Sequence, residues 1–107
     1  PYNFGQHAGT GATVRAWVPL FKQGNVPLVL AGHDHNYQRF AVDELTYIIS
    51  GGGSTVLYPQ AEIPLPDGGV FVRQSHWVQL EIYPDRIDVT AYGVDGAVLD
   101  EATVPLD

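Results

Sequence analysis

The sequence predicts a mixed α/β fold, α+β by content, with one helix and mostly antiparallel strands. Three observations carry this expectation. Val14, Trp17, Val18 and Phe21 recur at the i, i+3, i+4, i+7 spacing of one helical face within Ala12 to Gln23. "VPLVLAG" follows as an apolar run that reads as a strand buried on both faces. From Val78 onward apolar and polar residues alternate around two short turns, the pattern of an antiparallel meander.

Each element follows from local chemistry. Residues 1–11 hold Gly5, Gly9 and Gly11 around His7 with little apolar pattern, and read as loop. Pro19 lacks an N–H and crowds the preceding turn, so the helix should kink there or restart as a second short helix. Gly24 and Asn25 form a stop signal. After the apolar run comes "GHDHNYQRF", placed in the loop beyond the carboxyl end of its strand, where open α/β sheets bind ligands. "LTYIISGGGS" reads as a short strand ending in Gly51, Gly52 and Gly53, and "YPQAEIPLPDGG" has too many breakers for anything but a surface loop. Val78, Leu80 and Ile82, then Ile87, Val89 and Ala91, then Val98 to Val104 supply the meander.

The totals bound the function. The 107 residues make one domain or a piece of one. No apolar run approaches the roughly 20 residues of a membrane span. A net charge of −7 with five Lys and Arg argues against a nucleic-acid backbone as partner. The absence of cysteine excludes disulfides and thiolate metal sites. An opening "PYNFGQHAGT" with no methionine reads as the continuation of a longer polypeptide, so the compartment is not legible.

Chemistry concentrates in His33 and His35. In an extended segment residues i and i+2 project to one side, so His33 and His35 present two imidazoles together, suited to zinc, iron or manganese, with Asp34 turned away toward a supporting hydrogen bond. The bland alternative is a pair of hydrogen-bonded loop histidines. His76 before Trp77 reads as a sheet-surface residue, and Arg39 as a surface partner of Asp43 or Glu44. The Gly51–Gly53 run lacks the lysine and helix start of a phosphate loop, and reads as a turn that lets the backbone pass near the candidate metal site.

"GHDHNYQRF" after "GNVPLVLA" resembles the final signature of the calcineurin-like metallophosphoesterases, nearest to their purple acid phosphatase-like branch. "PYNFGQHAGT", "TYIISGGGS" and the closing "FVRQSHWVQLEIYPDRIDVTAYGVDGAVLDE" resemble flanking parts of the same domain in the same order. The resemblance implies that residues 1–107 are the C-terminal segment of a four-layer αββα sandwich. It implies that His33 and His35 each ligate one ion of an Fe, Zn or Mn pair, and that His7 binds phosphate or protonates the leaving alkoxide. The family's other ligand motifs lie upstream and are not in this chain, so the site would be incomplete and the isolated chain inactive. The implied partners are a phosphate mono- or diester and the N-terminal part of the same domain, with self-association through open sheet edges. Two rival readings stand beside it: a mononuclear metal-binding β-rich domain using His7, His33 and His35, and a noncatalytic interaction module.

Overall fold

The structure, a computed structural model, describes residues 1–106. One helix and seven strands form two sheets, as the α+β reading requires. Helix α1 spans Gly11–Gln23. Thr10 caps it in an extended conformation, its side chain accepting from the Thr13 N–H at 3.2 Å. At the other end the Gly24 N–H donates to the Leu20 carbonyl, and Asn25 turns left-handed at φ 52°.

Pro19 lies inside a single uninterrupted helix, so neither a break nor a restart occurs. Arg15 and Pro19 both lie on the exposed side, where water can satisfy the carbonyl that the missing N–H abandons. The buried stripe is also narrower than its spacing suggests. Val18 is buried and Phe21 packs inward, whereas Trp17 is exposed.

The first sheet runs in the order β1 (Leu28–Ala31), β3 (Leu45–Ser50), β2 (Tyr37–Val42), β4 (Val70–Val72). β1 is parallel to β3 and the other pairs are antiparallel. Among the described residues β1 stands at one end of this sheet, with Leu28 and Val29 half-buried and Leu30 exposed, so these residues alone do not cover both faces of the apolar run. β2 and β4 had no counterpart in the sequence reading. β2 returns to β3 through Asp43 and Glu44, at φ 50° and 67°, a two-residue turn with both residues left-handed that matches the twist of a hairpin.

The second sheet is the expected meander, β5 (His76–Ile82), β6 (Arg86–Gly93) and β7 (Val98–Pro105). Ala91 stands opposite Asp100 but Tyr92 stands opposite Val98, a bulge that leaves Leu99 without a partner. Leu99 packs on the core and Asp100 reaches across to the first sheet.

The two sheets close over Tyr37, Ile48, Ile87, Val89, Ala91 and Val104. The other face of the first sheet carries Phe40, Leu45, Tyr47 and Ile49, covered by Phe21 of α1 and by Tyr2 and Phe4 of the N-terminal segment. The layers are therefore helix and loop, sheet, sheet.

A polar clamp joins the sheets. Arg39 donates from Nε to Asp100 Oδ2 at 2.6 Å and from Nη2 to Oδ1 at 3.0 Å, and the Tyr37 hydroxyl donates to Oδ2 at 2.6 Å. The expected surface pairing of Arg39 with Asp43 or Glu44 is thus replaced by a partner 61 residues away. Burial, then the bond to Asp100, pushes the Tyr37 hydroxyl far above its ordinary range. Burial alone would raise Asp100, but the bonds from Arg39 and Tyr37 outweigh it and hold the carboxyl below its usual value.

Candidate functional site

The histidine loop, residues 33–36, links the end of β1 to the start of β2. It is not extended. His33 sits at φ 75°, so the chain leaves the strand by a left-handed step and the i, i+2 argument for parallel imidazoles does not apply. Asn36 N–H donates to the Asp34 carbonyl at 2.9 Å, closing a tight reversal.

Asp34 points inward and is fully buried. Its carboxylate accepts the His7 backbone N–H at 3.4 Å and faces His7 Nδ1 at 3.4 Å. Gly5 and Gly51 make this possible. A side-chain carbon on Gly5 would strike the Asp34 carboxylate, and one on Gly51 would strike the Asp34 carbonyl. The glycine run is thus the close-passing turn the sequence suggested, anchored by the Gly51 N–H donating to the Asn36 carbonyl at 3.0 Å.

A buried amide network holds the N-terminal segment over the loop. Gln38 Nε2 donates to Asn36 Oδ1 and Asn3 Oδ1, each at 2.9 Å, and Gln38 Oε1 accepts the Phe4 N–H at 2.9 Å. Gln38 escaped the sequence reading. Its only signal was one amide among apolar neighbours in a strand that the pattern did not reveal.

Four rings stand in a row. His33 lies 4.2 Å from His7, His7 lies 5.3 Å from Tyr58, and Tyr58 stacks on His35 at 4.3 Å and 10°. His35 Nδ1 donates to the Val56 carbonyl at 2.7 Å, which leaves the lone pair on Nε2. The structure therefore gathers His7, His33 and His35, with Tyr58 from the proline-rich loop, at one end of the first sheet. Among the described residues, no three His, Cys, Asp or Glu side chains converge as donors for one cation. The resemblance asks this chain for one imidazole per ion, from His33 and His35, with the remaining ligands outside residues 1–107; Asp34, which it does not use as a ligand, turns its carboxylate to His7. A cleft of about 740 Å³ lies at the far end of the sheet, lined by Lys22, Asp43, Glu44 and Pro105 and by no histidine.

His76 is not a sheet-surface residue. It is buried, its Nδ1 donating to the Gln74 carbonyl at 2.8 Å and its Nε2 accepting from Ser50 Oγ at 2.9 Å. The first residue of β5 enters beneath Gly52, whose missing side chain makes room for the ring.

No family model matches the chain, and no curated protein matches it. Among solved structures, GAP50, the anchor in the inner membrane complex of Plasmodium, is similar over 99% of this chain and 34% of its own, with a TM-score of 0.88 and 19% identity. A single-mutant form of Vps29 from Entamoeba histolytica is similar over 95% of this chain and 50% of its own, with a TM-score of 0.50 and 19% identity. These likenesses show a calcineurin-like, metallophosphoesterase-like fold. This chain spans about a third of the first neighbour's length and half of the second's.

They also correct the sequence expectation. The expectation of a purple acid phosphatase-like phosphoesterase is corrected by a neighbour similar over 99% of this chain that is described as an anchor. A shared fold does not carry a shared chemistry.

Proposed function

We propose that this chain is a noncatalytic interaction module built on a metallophosphoesterase-like fold. The observation that carries the reading is the likeness, over 99% of this chain, to a protein described as an anchor, and the inward turn of Asp34 is compatible with it. Its buried carboxylate meets the His7 backbone and ring, and so serves the folding of the loop rather than a substrate. The greater length of GAP50 suits a chain that works within a larger body. The competing hydrolytic reading needs His33 and His35 on metal ions and His7 poised as a proton donor.

The test is turnover of an aryl phosphate monoester and diester in the presence of zinc, manganese or iron. Both this chain and the longest natural polypeptide that carries it should be assayed. The expected result is no rate above the metal-only blank. Turnover that disappears in His33→Ala or His35→Ala would overturn the proposal.

A further inference from the structure

The meander turns one face to the core and the other to solvent. Across one end of the outer face runs an apolar row: Trp77 stands opposite Tyr92, and Tyr92 opposite Val98. Trp77 is 53% exposed and Val98 52% exposed. The indole stacks on the phenol ring at 4.6 Å and 24°, so the pair is already ordered before anything binds. Rigid exposed aromatic side chains give large contact area at small entropic cost, which is why Trp and Tyr dominate binding hot spots.

Further along the same strands the face becomes acidic. Glu101 stands opposite Thr90, and Glu81 opposite Asp88. Together they line a shallow depression of about 510 Å³. The local cation, Arg86, is taken up by Asp85 at 3.1 Å and Asp88 at 3.3 Å. Neither Glu81 nor Glu101 has a cationic partner among the described residues. Along β6 the row of Thr90 and Glu101 lies two residues from the apolar row and the row of Asp88 and Glu81 lies four, spacings of roughly 7 and roughly 14 Å.

We infer that this outer face docks a basic protein segment, with an apolar residue seated on Trp77 and Tyr92 and Lys or Arg side chains on Glu101 and Glu81. The inference rests on the interaction-module reading and names its partner. Charge complementarity favours that occupant, because paired opposite potentials steer and register an approaching chain. Anionic lipid headgroups and nucleic-acid phosphates would instead meet like charge on this face.

The experiment titrates the ¹⁵N-labelled chain with the extended peptide acetyl-Leu-Ser-Lys-Ser-Lys-amide, followed by amide and indole NMR shifts. Shifts confined to β5, β6 and β7, including the Trp77 indole, are expected. The paired variant Glu81→Lys with Glu101→Lys should weaken binding at least about tenfold. A variant of equal charge, Glu62→Lys with Asp67→Lys, should bind as the parent does, and the same peptide with Glu in place of Lys should not bind. All four positions are exposed, so retained spectral dispersion establishes that the variants fold. Equal weakening in both variants, shifts centred elsewhere, no peptide binding, or preferential binding to phosphatidylcholine vesicles would each overturn the inference. Phosphoester turnover would remove the noncatalytic reading without altering this titration, so the two failures are distinguishable.

Discussion

Asp100→Ala is expected to destabilise the chain by about 3 kcal/mol or more, the range for removing one partner of a buried ion pair. Side-chain exposure is 7% for Asp100 and 22% for Arg39, so the guanidinium left behind would find little water to replace the carboxylate. The Tyr37 hydroxyl would lose its acceptor as well. The damage falls at the junction of the two sheets, because Arg39 and Tyr37 belong to β2 and Asp100 to β7. Urea unfolding of the parent, Asp100→Ala and Tyr37→Phe would measure it. The tyrosine change should cost only about 1 kcal/mol, since it removes one hydrogen bond and leaves no charge unpaired. A neutral Asp100→Ala would mean that the clamp contributes nothing.

The same carboxyl carries a pH dependence. Its folded pKa is depressed, so its stabilising contribution is present above the ordinary carboxylate value of about 3.9. That contribution is lost as pH falls from there through the folded value. Parent stability should therefore decline on acidification below about pH 4, and Asp100→Asn should flatten part of that decline.

Gly51→Ala is the second large effect, expected at about 3 kcal/mol. Gly51 does not owe its identity to a left-handed backbone, since its φ is not positive. The obstacle is space. The added carbon would meet the Asp34 carbonyl, and backbone on both sides must move before it fits. Movement there would break the Gly51 to Asn36 hydrogen bond and unseat Asp34 beneath His7. Gly53→Ala is the matched control, since nothing lies within 4 Å of a side-chain carbon placed there. It should change stability by less than about 0.5 kcal/mol. Equal unfolding midpoints for the two variants would refute the close-packing account of the loop.

What the sequence disclosed was what periodicity encodes. The spacing of Val14, Val18 and Phe21 declared the helix, and strict alternation declared β5 to β7. β2 stayed hidden because Gln38 and Arg39 are polar yet turned into buried networks, and because its hairpin turn uses Asp43 and Glu44 where glycine or asparagine would have signalled it. β4 has only three residues, flanked by the breakers of a loop. The exposure of Leu30 was not legible because an apolar run reports what a strand can bury, not which of the described residues cover it.

The site was legible as composition but not as geometry. His33 and His35 marked the loop, yet the left-handed turn at His33 undid the side-by-side projection that extended backbone would give. Tyr58 and Val56, which position His35, come from about 20 residues further on, in a segment without periodicity. The Arg39 and Asp100 pairing joins positions 61 residues apart on different sheets, and no local pattern in the sequence announces it. The motif order pointed to a fold that the structural neighbours share, and a shared fold does not carry the chemistry that the resemblance implied.

The central claim is that the histidine loop is held together by its own chain and does not serve a metal centre. The direct test is metal content by mass spectrometry of the longest natural polypeptide that carries this chain, purified in the presence of zinc, manganese and iron, comparing the parent with the His33→Ala, His35→Ala double variant. The account predicts no stoichiometric metal in either protein. One or two equivalents per chain in the parent, lost in the double variant, would contradict it.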